Sequence, residues 1–195
     1  VLWLVDGVNA SMDSLLNKSG AFIATKNALN IDDQLLRYGV RINANLIQDL
    51  RSTKIPVITG YSNNRPQQSY FSWPYSPLLV SDSKHNISKG LDGIKCEFVS
   101  SIDTIKNNIR KTVLLHTSRE SRLNPAPIKV SLGILENPPK TNSYNKEFLP
   151  IAILLEGKFE SGNEPKSDQI NKQIQFIKKS VNTKMIVISD GDMIA

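Results

Sequence analysis

Cysteine and histidine are nearly missing from this chain. Its 195 residues hold one cysteine, Cys96, and two histidines, His85 and His116. One cysteine excludes an intrachain disulfide and a cysteine-rich metal site. Two histidines without a His-x-x-x-His pair leave no zinc pattern. No apolar run reaches the roughly 18–20 residues of a membrane helix, and no signal-peptide pattern opens the sequence. Low-complexity tracts and solenoid-length repeats are absent. The Gly-x-x-x-x-Gly-Lys-[Ser/Thr] phosphate loop, the Gly-x-Gly-x-x-Gly fingerprint and the Gly-x-Ser-x-Gly nucleophile elbow are absent too. The chain is therefore not an ATPase, and neither a cofactor nor a metal is expected.

What is present is the composition of an ordinary globular domain, 39% hydrophobic and 22% charged. The length suits one large domain or two small ones, and residues 1–195 are read as one. The net charge is +6, from 24 basic and 18 acidic residues. The cations are spread along the chain. Their densest group, Lys172, Lys178, Lys179 and Lys184, is diluted by Gln and Asn. A solvated basic surface is expected rather than a nucleic-acid partner. Attraction to anionic lipid headgroups stands as an alternative for a membrane-anchored parent. Both ends run straight into apolar segments, the expectation for an excised piece of a longer protein.

Three continuous apolar runs, at 1–5, 151–155 and 184–189, read as strands buried on both faces, the pattern of a parallel sheet. Residues 30–39 carry a helix signature, with Asn30 as N-cap, Asp32 and Asp33 in the first turn and Gly39 at C′. A short helix is expected over 10–16, capped by Asn9 or Ser11. Further strands are expected at 40–42, 45–49, 55–58, 95–99 and 112–116. Residues 61–77 read as an irregular aromatic loop or a proline-interrupted edge hairpin, and 119–127 as a loop. Ile170, Ile174 and Ile177 give 168–180 the spacing of an amphipathic helix. The fold class that follows is α/β, a mainly parallel central sheet with flanking helices.

Four groups of residues carry candidate chemistry. Asp6, Asp190 and Asp192 follow two apolar strands and converge if those strands are parallel neighbours. They then either hold a divalent cation or each accept backbone N–H bonds in their own turns. Arg119 and Arg122 follow a strand end, where they either grip an anion or form a salt-bridged loop. Tyr70, Trp73 and Tyr75 either contact a partner or sugar or lock a long segment onto the sheet. Asn9 completes the candidate set. Cys96 is expected to face the core as a small hydrophobe, not to act as a nucleophile with His85 or His116.

Seven segments in order, VLWLVDGVNASMDSL at 1–15, NIDDQLLRYGVRINANLIQDL at 30–50, WPYSPLL at 73–79, FVSSIDTI at 98–105, TSRESRLNPAPIKVSL at 117–132, LPIAILLE at 149–156 and KMIVISDGDMI at 184–194, resemble the GldG family of gliding-motility-associated ABC-transporter accessory proteins. Members are often labelled substrate-binding components. The resemblance implies the periplasmic region of an inner-membrane protein, with an ABC permease, an ATPase and other envelope proteins as partners. It also implies a sheet like that of intraflagellar-transport-type or glutamine-amidotransferase-like domains, without the catalytic cysteine. No catalytic residues come with it. The expected role is therefore non-catalytic, by protein–protein interaction, with capture of a small solute at the strand ends as the alternative.

Overall fold

The computed structural model describes residues 1–17, 19–81, 84–162 and 177–194. Its strands are β1 (Leu2–Leu4), β2 (Val8–Asn9), β3 (Ala21–Lys26), β4 (Val40–Ile42), β5 (Asn45–Asp49), β6 (Ser52–Ser62), β7 (Arg65–Leu79), β8 (Ile94–Lys95), β9 (Ile102–Thr104), β10 (Arg110–His116), β11 (Ser121–Pro125), β12 (Ile128–Ser131), β13 (Pro150–Gly157) and β14 (Thr183–Ile188). One α-helix, α1 (Asp32–Tyr38), and three short 3-10 turns complete the regular structure of the described residues.

The three apolar runs do lie side by side, in a four-stranded sheet of order β1-β14-β13-β10. The expected direction is overturned. Only β1 and β14 are parallel, while β13 runs antiparallel to both β14 and β10. The other sheets are small and antiparallel. A mostly β architecture replaces the expected α/β fold, and the amidotransferase-like sheet falls with it. The physical reason is that a continuous apolar run reports burial on both faces and nothing about strand direction. Here Ile153, Leu155, Met185 and Val187 pack on one face against Leu35, Tyr38, Val40, Ile102 and Phe159. Leu154, Ile186 and Ile188 pack on the other against Ile47, Leu79, Cys96 and Val99. A helix covers part of one face, but strands and irregular segments supply most of the cover.

Local signals fared unevenly. Gly39 ends α1 with φ 90°, its N–H reaching the carbonyls of Leu35 and Leu36. That left-handed C′ position is what glycine permits. Asn30 does not cap the helix: it has φ 55°, and Ile31 occupies the cap without a side-chain bond. Ser11 caps the 3-10 turn Met12–Leu15. Residues 121–125, expected in a loop, form β11. The strand expected over 95–99 stops at Lys95, because Phe98 takes φ 52° and donates its N–H to Tyr75 O. In the helix expected over 168–180, residues 168–176 lie outside the described residues. Among the described residues no helix is long and apolar enough to cross a membrane.

Residues 61–77 belong to a long hairpin, β6–β7, closed at Asn63 and Asn64 with φ of 49° and 62°. Two successive left-handed residues make the tight turn whose twist matches paired strands. The base of the hairpin is core, with Ile55, Trp73 and Tyr75 packed beside Val8, Leu46, Phe98 and Val130. From residue 58 to residue 72 only Gly60 and Ser69 are half-buried and every other residue is exposed. That stretch projects as a two-stranded arm.

Leu154→Ala should therefore cost about 2–5 kcal/mol, because both faces of β13 are filled. Ile58→Ala on the arm should stay within about 0.5 kcal/mol. Urea melts of the two variants separate these outcomes.

Candidate functional site

The strand-end carboxylates meet the geometric condition set by the sequence, since β1 and β14 are parallel neighbours. Asp6 accepts the Gly191 N–H at 2.7 Å. Asp190 is buried and accepts the N–H groups of Asp192 at 2.9 Å and Glu97 at 3.2 Å. Burial pushes both carboxyls up, against these hydrogen bonds; the charge of Asp192 adds to the rise at Asp6, and that of Asp6 to the rise at Asp190. Asp190 and Asp192 border an open cleft of about 390 Å³ with Lys95, Cys96 and Glu97. Among the described residues no group of three His, Cys, Asp or Glu side chains is arranged to hold a metal ion. The Asp6 carboxylate serves the turn that follows β14, and that of Asp190 serves the same turn and the Glu97 N–H.

Cys96 is buried among Ile47, Leu79 and Val99. Burial pushes its thiol up, and the charge of Asp190 pushes it further, so it stays a thiol at neutral pH. His116 is buried at the end of β10, with Nδ1 2.7 Å from Thr117 O and its ring edge-on to Phe148. Asn9 is exposed on β2 opposite Thr25.

The segment after β10 is organised by a residue that sequence reasoning passed over. Asp49, at the end of β5, has no exposed surface. Its carboxylate accepts the Ser118 N–H (2.8 Å), the Ser118 hydroxyl (2.7 Å), the Ser121 hydroxyl (2.9 Å) and the Arg51 N–H (2.7 Å). These bonds seat β11 against β5 with Arg122 opposite Gln48 and Asn124 opposite Leu46. The two candidate arginines then part. Arg119 lies over the Phe148 ring, 5.3 Å from its centroid. Arg122 borders a second cleft, of about 450 Å³, with Gln48, Tyr75 and Asn124.

The candidate aromatics part in the same way. Trp73 and Tyr75 are buried, with ring centroids 5.4 Å apart, whereas Tyr70 is 66% exposed on the arm. Tyr61, at 71%, with Ile58 and Phe71, joins it there. Tyr61, Ile58 and Gln48 were missed as site candidates. The Asn63-Asn64 pair was the signal that would have marked the hairpin and its exposed tip.

A family model described as "ABC-type uncharacterized transport system" matches residues 1–195. The chain belongs to this ABC-transport auxiliary family. No curated protein and no solved structure matches it significantly. The auxiliary protein is thus a component of an ABC-type transport system, and its surfaces are to be read for what an accessory subunit needs.

Two outcomes follow from these networks. Asp49→Ala leaves its buried donors unanswered and should cost roughly 3 kcal/mol, a fall in Tm of about 6–12 °C for a chain of this size. Thermal melts of the auxiliary protein check this. Asp6 has a raised folded-state pKa, so its contribution is fully present below the unfolded value and lost as pH rises through the folded one. Asp6→Asn keeps an acceptor for Gly191 and removes that loss. Relative to the unsubstituted protein, the variant should gain stability between pH 4 and pH 7, as read from denaturant melts at the two pH values.

Proposed function

We propose that the auxiliary protein is a non-catalytic extracytoplasmic module of a gliding-motility-type ABC transporter, acting by protein–protein contact through the β6–β7 arm. The observation that carries this is the arm itself. A core-anchored hairpin exposes Ile58, Tyr61, Tyr70 and Phe71 beyond the body of the protein. Large apolar and aromatic side chains held clear of a core are the chemistry of a recognition surface.

The arm also has a sign. Among residues 58–72 the one charged residue is Arg65, and residues 52–81 contain no aspartate or glutamate. The partner that fits is an apolar surface rimmed by acidic residues on another subunit of the transporter. Whole-chain membership of an auxiliary transport family supports a transporter subunit over an unrelated protein. The GldG-like segments support the gliding-motility type and the periplasmic side of the inner membrane. Other candidates are committed to packing and backbone bonds: Trp73 and Tyr75 lie in the core, and Asp6 and Asp190 accept N–H groups of the turn after β14.

Tagged parent protein purified from its native membrane should bring a permease and an ATPase with it. Tyr61→Ser combined with Tyr70→Ser should abolish that recovery while leaving Tm nearly unchanged, since both side chains are exposed. Undiminished recovery with the double variant would remove the arm from the reading. Recovery of the parent alone, under conditions that preserve other transporter complexes, would remove the transporter contact itself.

A further inference from the structure

Five cations that lie far apart in sequence gather at one end of the central sheet. The start of β10, the end of β13 and the start of β14 meet there, with Arg110 and Lys184 opposite Glu156 from either side. Arg110, Glu156 and Lys184 border an open cleft of about 340 Å³. Next to it, at the end of α1, Arg37, Lys158, Glu160 and Lys179 border a second one, of about 130 Å³. Both carboxylates are engaged, Glu156 with Lys184 at 2.9 Å and Arg110 at 3.8 Å, and Glu160 with Lys179 at 3.4 Å. Arg37 and Lys158 are exposed, and among the described residues neither makes an ion pair. The surplus positive charge therefore faces solvent. Asp6, Asp190 and Asp192 stand past the other end of β1 and β14, so charge is separated along the strands. Two aliphatic side chains accompany the cations: Ile177, 69% exposed, and Val181, 80% exposed, lie on either side of Lys179, which bridges Glu160.

We infer that this end of the sheet seats on an anionic lipid bilayer, with Arg37, Lys158, Lys179 and Lys184 among the phosphate headgroups and Ile177 and Val181 at the headgroup–acyl boundary. An anionic surface attracts a basic cluster over about a Debye length. Long cationic stems keep their heads in water while apolar neighbours sink past them. The aliphatic pair selects the occupant. Single-stranded nucleic acid takes cations together with exposed aromatic platforms, and the one aromatic ring in these two clefts, Phe159, is buried. Exposed aliphatic side chains amid cations gain instead from the boundary of a bilayer, where binding grows with buried apolar area and with attraction to anionic lipid. The separated charge then orients the domain, its acidic strand ends turned away from the membrane. None of these residues belongs to the arm.

The probe is vesicles of mixed phosphatidylglycerol and phosphatidylcholine, sedimented with the 195-residue chain at low salt, with vesicles of phosphatidylcholine alone and soluble polyglutamate as comparisons. The chain should sediment with the anionic vesicles, stay in solution with the neutral ones, and be released near 1 M salt, where the Debye length falls to about 3 Å. Arg37→Gln combined with Lys158→Gln should weaken vesicle binding roughly tenfold or more. Ile177→Ser combined with Val181→Ser should weaken it roughly tenfold and leave polyglutamate binding unchanged. All four side chains are exposed, so Tm should hold in both double variants. Lys129→Gln combined with Lys146→Gln, which removes the same charge elsewhere on the surface, should bind vesicles as the unsubstituted protein does. No sedimentation with anionic vesicles, or equal sedimentation with neutral ones, would overturn the membrane contact. Loss with the glutamine pair at residues 37 and 158 but none with the serine pair would identify an acidic protein surface as the occupant and overturn the bilayer. An equal loss from the substitutions at 129 and 146 would overturn the placement. Each outcome is independent of whether the arm recruits a permease or an ATPase.

Discussion

A carboxylate with no contact with water has to be answered in place, and the arrangement around Asp49 follows from that requirement. Two backbone N–H groups and two serine hydroxyls converge on it, the kind of satisfaction that makes a buried charge tolerable. The Ser121 hydroxyl oxygen also lies 2.7 Å from Thr117 Oγ1, an atom that in turn accepts the Leu149 N–H. One side chain therefore links the end of β5, the turn after β10, the start of β11 and the approach to β13. The Gln48–Arg122 pair inherits its position from this network, because the β5–β11 register starts at Asp49 opposite Ser121.

The central sheet depends on a different constraint, burial of both faces at once. Residues of β13 and β14 alternate between the two cores, so neither face can take a polar side chain without emptying a donor or acceptor into hydrocarbon. This is why the strands were legible as strands, and even as one sheet, from their apolar runs. Direction was not legible, since antiparallel strands covered on both sides carry the same pattern as parallel ones. The cover itself comes from short strands and from irregular segments such as 96–99, whose alternation reads as a strand that the structure does not continue past Lys95. No local pattern announced that these, and not amphipathic helices, would close the sheet.

The candidate site was legible where two segments repeat one pattern and hidden where no motif marks the pairing. That Asp6 and Asp190 would end neighbouring strands was readable from two similar strand-plus-acidic-turn segments, on the condition, met here, that β1 and β14 pair in parallel. That Gln48 would face Arg122 depends on pairing residues more than seventy positions apart, which no motif marks. The aromatic run 70–75 shows the limit within a single strand. Trp73 and Tyr75 share one face at the hairpin base and are buried, while Tyr70 and Phe71 lie past the edge of the body and are exposed. Identical residue types sit in core and in solvent because the hairpin is longer than the body it grows from.

An arm of that length presents unpaired strand edges as well as side chains, and its sequence bears on which of the two a partner meets. Beyond the base, β6 and β7 pair only with each other among the described residues. Pro56 and Pro66 lack N–H groups, and a bulge falls between Ile58 and Gly60, devices that blunt an edge against strand addition. Lys54 adds charge near the base of the hairpin and Arg65 at its tip. With both edges interrupted, a third strand would find a broken ladder, whereas Ile58, Tyr61, Tyr70 and Phe71 remain available on the faces. The arm's chemistry favours recognition through side chains seated in an apolar, acid-rimmed surface, a mode that gives an accessory subunit one defined partner rather than a general adhesive edge.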